Sequence, residues 1–255
     1  MHDLESYRAD PKKYHEEAAI CDAGAFQKIA KSRRSIRRFT SEPIPPEVTR
    51  ACIDLALEAP NSSNLQSWEF HWIRTPALKE ELAHACLDQA AARTAAELIV
   101  CVARRGTWRR NAPMIAAQLE REGLPTATTL AYYRRLVYIL YTVGLGSFLA
   151  PLKWLVLTIV GIFRPMPRGP LTKSDLRVWT VKSCALACEN LMLAYRAHGY
   201  DTCPMEGYDD RRVRRLIKLP RDAEIVMVIG AGRRSKGGVY GPKLRLDASL
   251  FVFEH

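Results

Sequence analysis

The chain has 255 residues and carries 38 basic against 27 acidic side chains, a formal net charge of +11. Apolar residues make up 48% and charged residues 25%, with 14 glycines and 15 prolines, which excludes a disordered, collagen-like or coiled-coil polypeptide and fits one large folded domain. The positive balance directs attention to anionic partners: phosphorylated cofactors, an acidic membrane surface or nucleic acid.

Along the chain, Met1 to Tyr7 carries acids instead of a basic stretch followed by an apolar one, so no cleavable secretion signal is expected. The spacing predicts a helix over Phe26 to Arg34 and another within Pro43 to Ala59, whose start is marked by Pro45-Pro46-Glu47. Val48, Ala51, Cys52, Leu55 and Ala59 recur on one face of that helix, which should be buried. Strand-like runs follow at Trp68 to Ile73, Leu98 to Ala103, Ile225 to Ile229 and Leu250 to Phe253, and Leu176 to His198 reads as a long apolar helix. Helices outnumber strands around a small sheet, an α+β or three-layer pattern. The seven cysteines at 21, 52, 86, 101, 184, 188 and 203 are odd in number and irregularly spaced, which favours a reducing cytoplasm over a disulfide framework.

One stretch departs from this frame. Arg105 to Lys182 holds twelve basic and three acidic residues, and inside it Leu136 to Phe163 runs for 28 residues with Lys153 as its only charge. Residues 105–175 therefore read as a basic and hydrophobic insertion in a single domain spanning 1–255, with 136–163 as its apolar part. Gly144, Gly146 and Pro151 divide the run into pieces too short to cross a bilayer singly. Arg134-Arg135 before it and Arg164, Arg168 and Lys173 after it suit two ends on one anionic face, so a surface-lying or re-entrant helical hairpin on the inner side of a membrane is expected, with anionic lipid as a partner. The same helices packed in a dimer interface are the other reading.

The chemistry-bearing pattern lies outside the insertion. Arg33-Arg34-Ser35-Ile36-Arg37-Arg38-Phe39 concentrates guanidinium groups and a hydroxyl in one segment, a composition that grasps phosphate by bidentate bonds, although a solvated basic helix end has the same look. Ala59-Pro60-Asn61-Ser62-Ser63-Asn64-Leu65-Gln66-Ser67-Trp68 then supplies donors and acceptors suited to the edge of a planar heterocycle. These segments, followed by Gly199 with Cys203-Pro204-Met205-Glu206-Gly207 and by Gly241-Pro242-Lys243-Leu244-Arg245-Leu246, occur in an order that resembles the FMN-dependent nitroreductase family. The resemblance covers roughly residues 26 to 104 and 176 to 250. Ser67 and Asn61 depart from the residues usual at their positions, on the substrate side of the pocket.

The resemblance implies a nitroreductase-like three-layer α+β fold, a small mixed sheet flanked by helices, working as a homodimer with the flavin at the subunit interface. It implies that Arg33, Arg34, Ser35 and Arg37 hold the FMN phosphate and the ribityl-to-pyrimidine edge, with Lys243 and Arg245 closing on the phosphate. Pro60, Asn61, Ser62, Ser63, Asn64 and Gln66 match the segment that reaches the flavin of the other subunit. Pro204, Met205, Glu206 and Gly207 match the stretch against the isoalloxazine. No side chain need act as acid or base, since hydride passes from NAD(P)H through the flavin to a small electron-poor acceptor in ping-pong order. Arg37 is the candidate cation beside the reduced ring. The acceptor class expected is quinone-like or nitroaromatic; a membrane-attached FMN carrier without turnover, and a flavin-dependent dehydrogenase or dehalogenase, stay open as alternatives.

Other patterns are weaker. Gly230-Ala231-Gly232 follows a strand, but Ser235 stands at the third glycine position of a dinucleotide fingerprint, so a Rossmann site is not expected. Cys184 and Cys188 lie in an apolar helical run and read as core, with no metal expected. The basic residues flank a greasy run instead of interleaving with aromatics, which argues against nucleic acid.

Overall fold

The computed structural model describes residues 17–123, 126–143, 150–165 and 167–255. The described elements in chain order are helices α1 (Ala23–Ser32) and α2 (Pro46–Leu57), strand β1 (Trp68–Ile73), helices α3 (Pro76–Ala85) and α4 (Ala90–Thr94), and strand β2 (Glu97–Arg104). Residues 105–175 follow with α5 (Trp108–Arg121), α6 (Ala127–Ala131), a π-helical turn at Tyr132–Leu136, α7 (Val137–Tyr141) and α8 (Ala150–Phe163). The chain returns through α9 (Lys173–Ala197), β3 (Asp201–Met205), α10 (Asp210–Leu216) and β4 (Ala223–Gly232).

The sheet has the order β1-β2-β4-β3, with antiparallel pairing between all neighbours. The mixed character expected of it is confined to one isolated parallel bridge, Ser35 to Thr202, at the β3 edge. Strand periodicity sorts β2 between two cores. Ile99, Cys101 and Ala103 face the layer of α2 and α9, meeting Cys52, Ala56, Cys184, Cys188 and Leu191. Leu98, Val100 and Val102 face the opposite layer, with Leu82 of α3, Ala91 and Ala92 of α4 and Val213 of α10. Helix, sheet and helix thus form three layers, with Cys184 and Cys188 wholly buried.

Boundaries follow local chemistry. The Asp22 carboxylate accepts from the N–H of Gly24 and Ala25 and starts α1, while Pro46 occupies the first turn of α2. The long helix begins at Lys173, three residues before the expected Leu176, because Thr172 and Asp175 form a reciprocal capping box. Strand β4 runs on through Gly230 and Gly232 where the sequence suggests a stop at Ile229. A side chain on Gly230 would meet Ala91 O at 3.0 Å, and one on Gly232 would meet the Phe39 ring at 2.9 Å, so close packing, not a phosphate turn, requires both glycines.

Two expectations need correction. Leu250 to Phe253 is not a strand in this chain: a single turn at Ala248–Leu250 leads into exposed residues. Strand β3 is unmarked in the sequence because Asp201 and Pro204 interrupt its apolar pattern.

In the insertion, Val137, Tyr141 and Val143 join Leu65, Trp108, Ala112 and Leu176 in a third buried cluster. The residues that would turn the expected hairpin, 144–149, lie outside those described. Helix α8 has no buried residue, and Leu152, Trp154, Leu155, Ile159, Ile162 and Phe163 are exposed on it. Lys153 ties it back by donating to Leu140 O at 2.7 Å and Pro170 O at 2.9 Å, and desolvation holds its ammonium below the usual lysine range. Among the described residues no helix is long and apolar enough to cross a membrane.

Candidate functional site

The arginine-rich segment is held by backbone bonds to both ends of the chain. Arg33 N–H donates to Ile29 O at the close of α1, Ile36 N–H to Thr202 O at 2.9 Å, Arg37 N–H to Gly238 O at 2.7 Å and Thr40 N–H to Arg233 O at 2.8 Å. Ile36 and Phe39 are buried as anchors, while Arg37 and Arg38 between them are exposed. Gly238 is obligatory here, because a Cβ would sit 2.5 Å from Arg38 O.

The late segment closes over this one. The Arg34 guanidinium donates to Gly241 O at 2.7 Å and the Lys243 ammonium to Lys31 O at 2.8 Å. The result is a cavity of about 310 Å³ into which Arg33, Arg34, Ser35, Arg37, Lys243 and Arg245 all contribute. Residues more than two hundred positions apart thus meet, as the sequence pattern anticipates. Of the cations lining this cavity only Arg33 meets a carboxylate among the described residues, Glu189 at 3.7 Å. Desolvation and the charges of Arg245, Arg33 and Arg34 hold Lys243 below the usual lysine range, the signature of a cation cluster short of anions.

The Pro60 to Gln66 segment does not line this cavity. Ser63, Asn64 and Gln66 have φ of 56°, 50° and 47°, a left-handed run that non-glycine residues adopt only when their surroundings hold them. The Asn61 carboxamide oxygen accepts from Gln66 N–H at 2.7 Å, and the Asn111 amide on α5 donates to Leu65 O at 2.7 Å. From the insertion, the Tyr132 hydroxyl bonds Ser63 Oγ at 2.5 Å, the Tyr141 hydroxyl bonds Ser62 Oγ at 2.9 Å, and Tyr133 Oη donates to Ser63 O at 3.2 Å. Burial pushes the Tyr133 and Tyr141 phenols up, so both stay neutral hydroxyls. The sequence reading missed Asn111 and these three tyrosines; the one local signal was the Tyr132-Tyr133 pair, which the π-turn lets reach the loop.

Pro204 and Met205 end β3, with Met205 buried and Glu206 and Gly207 exposed beyond it. The Gln89 amide pins this exit by donating to Gly207 O at 2.7 Å. One residue into the strand, Thr202 Oγ1 is buried with no hydrogen-bond partner, beside the bridge to Ser35. Its neighbour Asp201 is 3% exposed and accepts from Arg196 at 2.7 Å and from Arg234 at 2.6 Å. Among the described residues no group of His, Cys, Asp and Glu has metal-holding geometry.

Comparisons with known proteins agree with this architecture. The nitroreductase family model matches residues 30–233. Protein DrgA of Synechocystis is 29% identical over 205 residues, covering 80% of this chain and 81% of its own. An NADH dehydrogenase of Thermus thermophilus is 26% identical over 218 residues, covering 86% and 91%. Among solved structures, YdfN of Bacillus subtilis aligns with a TM-score of 0.72 at 22% identity, over 92% of this chain and 100% of that one. A structure from Exiguobacterium sibiricum in complex with FMN aligns at 0.68 and 24% identity, over 94% and 100%. With the match spanning the sheet, the arginine segment and β3, the chain belongs to the nitroreductase family.

Proposed function

We infer that this chain is an FMN-dependent NAD(P)H oxidoreductase, acting as a homodimer on small electron-poor acceptors of the quinone or nitroaromatic type. The observation that carries the reading is the cavity where Arg33, Arg34, Ser35 and Arg37 meet Lys243 and Arg245. Its cations have carbonyls rather than carboxylates as their partners, with Arg33 the exception, which suits a phosphate dianion.

Bound FMN supplies a ring that accepts hydride from reduced nicotinamide and delivers it to the acceptor. The chain's own part is positional. The arginines and Lys243 anchor the phosphate, and Glu206 and Gly207 offer backbone N–H groups at the exit of β3, where Pro204 has none to give. Arg37 places positive charge where the reduced ring carries its negative charge. The Pro60 to Gln66 loop lies away from the phosphate cavity, which supports a role toward the other subunit's flavin. Exposed Phe26, Leu55, Leu57 and Leu186 on α1, α2 and α9 supply apolar surface for such a dimer.

Helix α8 supports a further element, attachment to an anionic membrane surface that admits lipid-soluble acceptors. Its 14 residues reach about 21 Å, short of the roughly 30 Å hydrocarbon layer, so it would lie in the interface. The test is purification followed by visible spectroscopy and anaerobic reduction. A yellow protein absorbing at about 450 nm, bleached by NADH or NADPH and reoxidised by a quinone or a nitroarene, is expected. A colourless protein that refuses added FMN as a dimer overturns the redox reading. A protein that stays in solution when mixed with anionic membranes at low salt overturns the attachment.

A further inference from the structure

A second cavity, of about 420 Å³, opens at the root of the insertion. Arg105, Arg109, Lys173 and Arg221 surround it, and Val143 and Leu176, both buried, form its floor. Among the described residues none of the four cations pairs with a carboxylate. The one acid on the wall, Asp222, is engaged by Arg104 at 3.1 Å and by Gly106 N–H at 3.1 Å. Two of the cations are also held in place. Arg105 donates to Arg221 O at 3.1 Å and Asp222 O at 3.3 Å, and Arg109 lies 4.4 Å over the Trp108 ring. The first turn of α5 begins at the same cavity, adding the partial positive charge of its helix end.

This cavity and the phosphate cavity lie at opposite ends of the ten-residue strand β4, one at Asp222 and the other past Gly232, a run of roughly 30 Å. What distinguishes it is its place in the chain. Val143 immediately precedes, and Lys173 follows, the segment that carries α8 with its exposed Leu152, Trp154, Ile159 and Phe163. Fixed positive charge over an apolar floor, with an apolar helix leaving from the same point, matches an anion that bears hydrocarbon chains. A free anion would have no use for the floor or the helix.

We propose that this cavity takes the phosphate headgroup of an anionic membrane lipid, whose acyl chains lie along α8. The assignment rests on the surface attachment proposed above and is independent of the flavin. Flotation with vesicles of phosphatidylcholine alone, and of equimolar phosphatidylcholine and phosphatidylglycerol, tests it. The protein should partition onto the anionic vesicles, and Arg105→Gln with Arg109→Gln should weaken partitioning by about thirtyfold, the effect of two interfacial cations. Lys173→Gln with Arg221→Gln should do the same through different residues, while Arg211→Gln with Lys218→Gln on the α10 side should change it by less than about threefold. Flavin content read on every variant reports the fold and the cofactor reading separately.

Equal binding to both vesicle types leaves the attachment standing and overturns the headgroup site. Equal losses from the cavity pairs and the α10 pair overturn it in favour of diffuse charge. Inorganic phosphate that binds with dependence on Arg105 and Arg109, while vesicles leave the protein in solution, overturns it in favour of a free-anion site.

Discussion

The Tyr132 hydroxyl lies 2.5 Å from Ser63 Oγ, joining the π-helical turn to a loop sixty-nine residues earlier whose backbone is left-handed at Ser63 and Asn64. Tyr132, Tyr133 and Tyr141 together tie down the segment carrying Ser62 and Ser63. Tyr132→Phe removes one neutral hydrogen bond, of about 0.5–1.5 kcal/mol. Flavin content should stay at the wild-type level, while KM for the acceptor rises by up to about tenfold as the loop loses its fixed shape. Steady-state kinetics with the acceptor varied checks this; an unchanged KM removes the loop from the acceptor site.

The phosphate cavity predicts the cofactor's affinity. Replacing Arg34 by Gln takes away a charge-assisted donor, of about 1.5–3 kcal/mol, so FMN should dissociate about 10- to 150-fold more readily. Lys243→Gln should behave alike, since both residues reach the cavity from opposite ends of the chain. Fluorescence titration of the apoprotein with FMN measures both, and wild-type affinity in the two variants places the phosphate elsewhere.

Gly232 predicts a packing cost. A Cβ there would press on Phe39 Cβ and Cγ at 2.9 Å, atoms near the backbone that cannot swing aside. Gly232→Ala should destabilise by about 1–3 kcal/mol and loosen FMN through the displaced arginine segment. Denaturant titration and flavin retention read the two effects.

Asp201 predicts an electrostatic one. Removing a buried carboxylate that serves Arg196 and Arg234 strands two cations at the β3 edge. Because water reaches both arginines, Asp201→Ala should cost about 1–3 kcal/mol, lowering the Tm of a thermal melt by roughly 2–12 °C for a chain of this size.

Acid should weaken the base of the insertion. Burial raises the Asp222 carboxyl, but the Arg104 guanidinium and the Gly106 N–H outweigh it and hold the group below the usual carboxylate range. A folded pKa below the unfolded one contributes stability that is complete above the unfolded value and is lost as pH falls through the folded value. Urea midpoints measured from about pH 6 down to about pH 3 should fall more steeply for the wild type than for Asp222→Asn. Parallel curves would mean that the Arg104 pair contributes nothing to this dependence.

Much of the frame was legible because its signals are local. Proline at the start of α2, the unbroken apolar run of β2 and the apolar run of α9 each report on residues within a few positions, and the structure has all three. Strand β3 was not legible, since five residues interrupted by proline carry too little periodicity and owe their extended form to pairing with β4. The terminal run Leu250 to Phe253 failed in the opposite sense: its composition favours a strand, but its residues are exposed and pair with no described strand.

The same division holds for the site. Residue type alone made Arg33 to Arg37 suited to an anion, because charge and hydrogen-bonding capacity belong to the side chain wherever it stands, whereas Lys243 and Arg245 entered only through the family resemblance. That the two segments share one cavity was decided by the fold, through Arg34 bonding Gly241 O and Ile36 bonding Thr202 O. The roles of Tyr132, Tyr133, Tyr141 and Asn111, and the convergence of Arg105, Arg109, Lys173 and Arg221, likewise depend on contacts between residues far apart in the chain. Such contacts leave no period or motif behind, because closing a loop of many residues is a property of the packed core, not of any stretch within it.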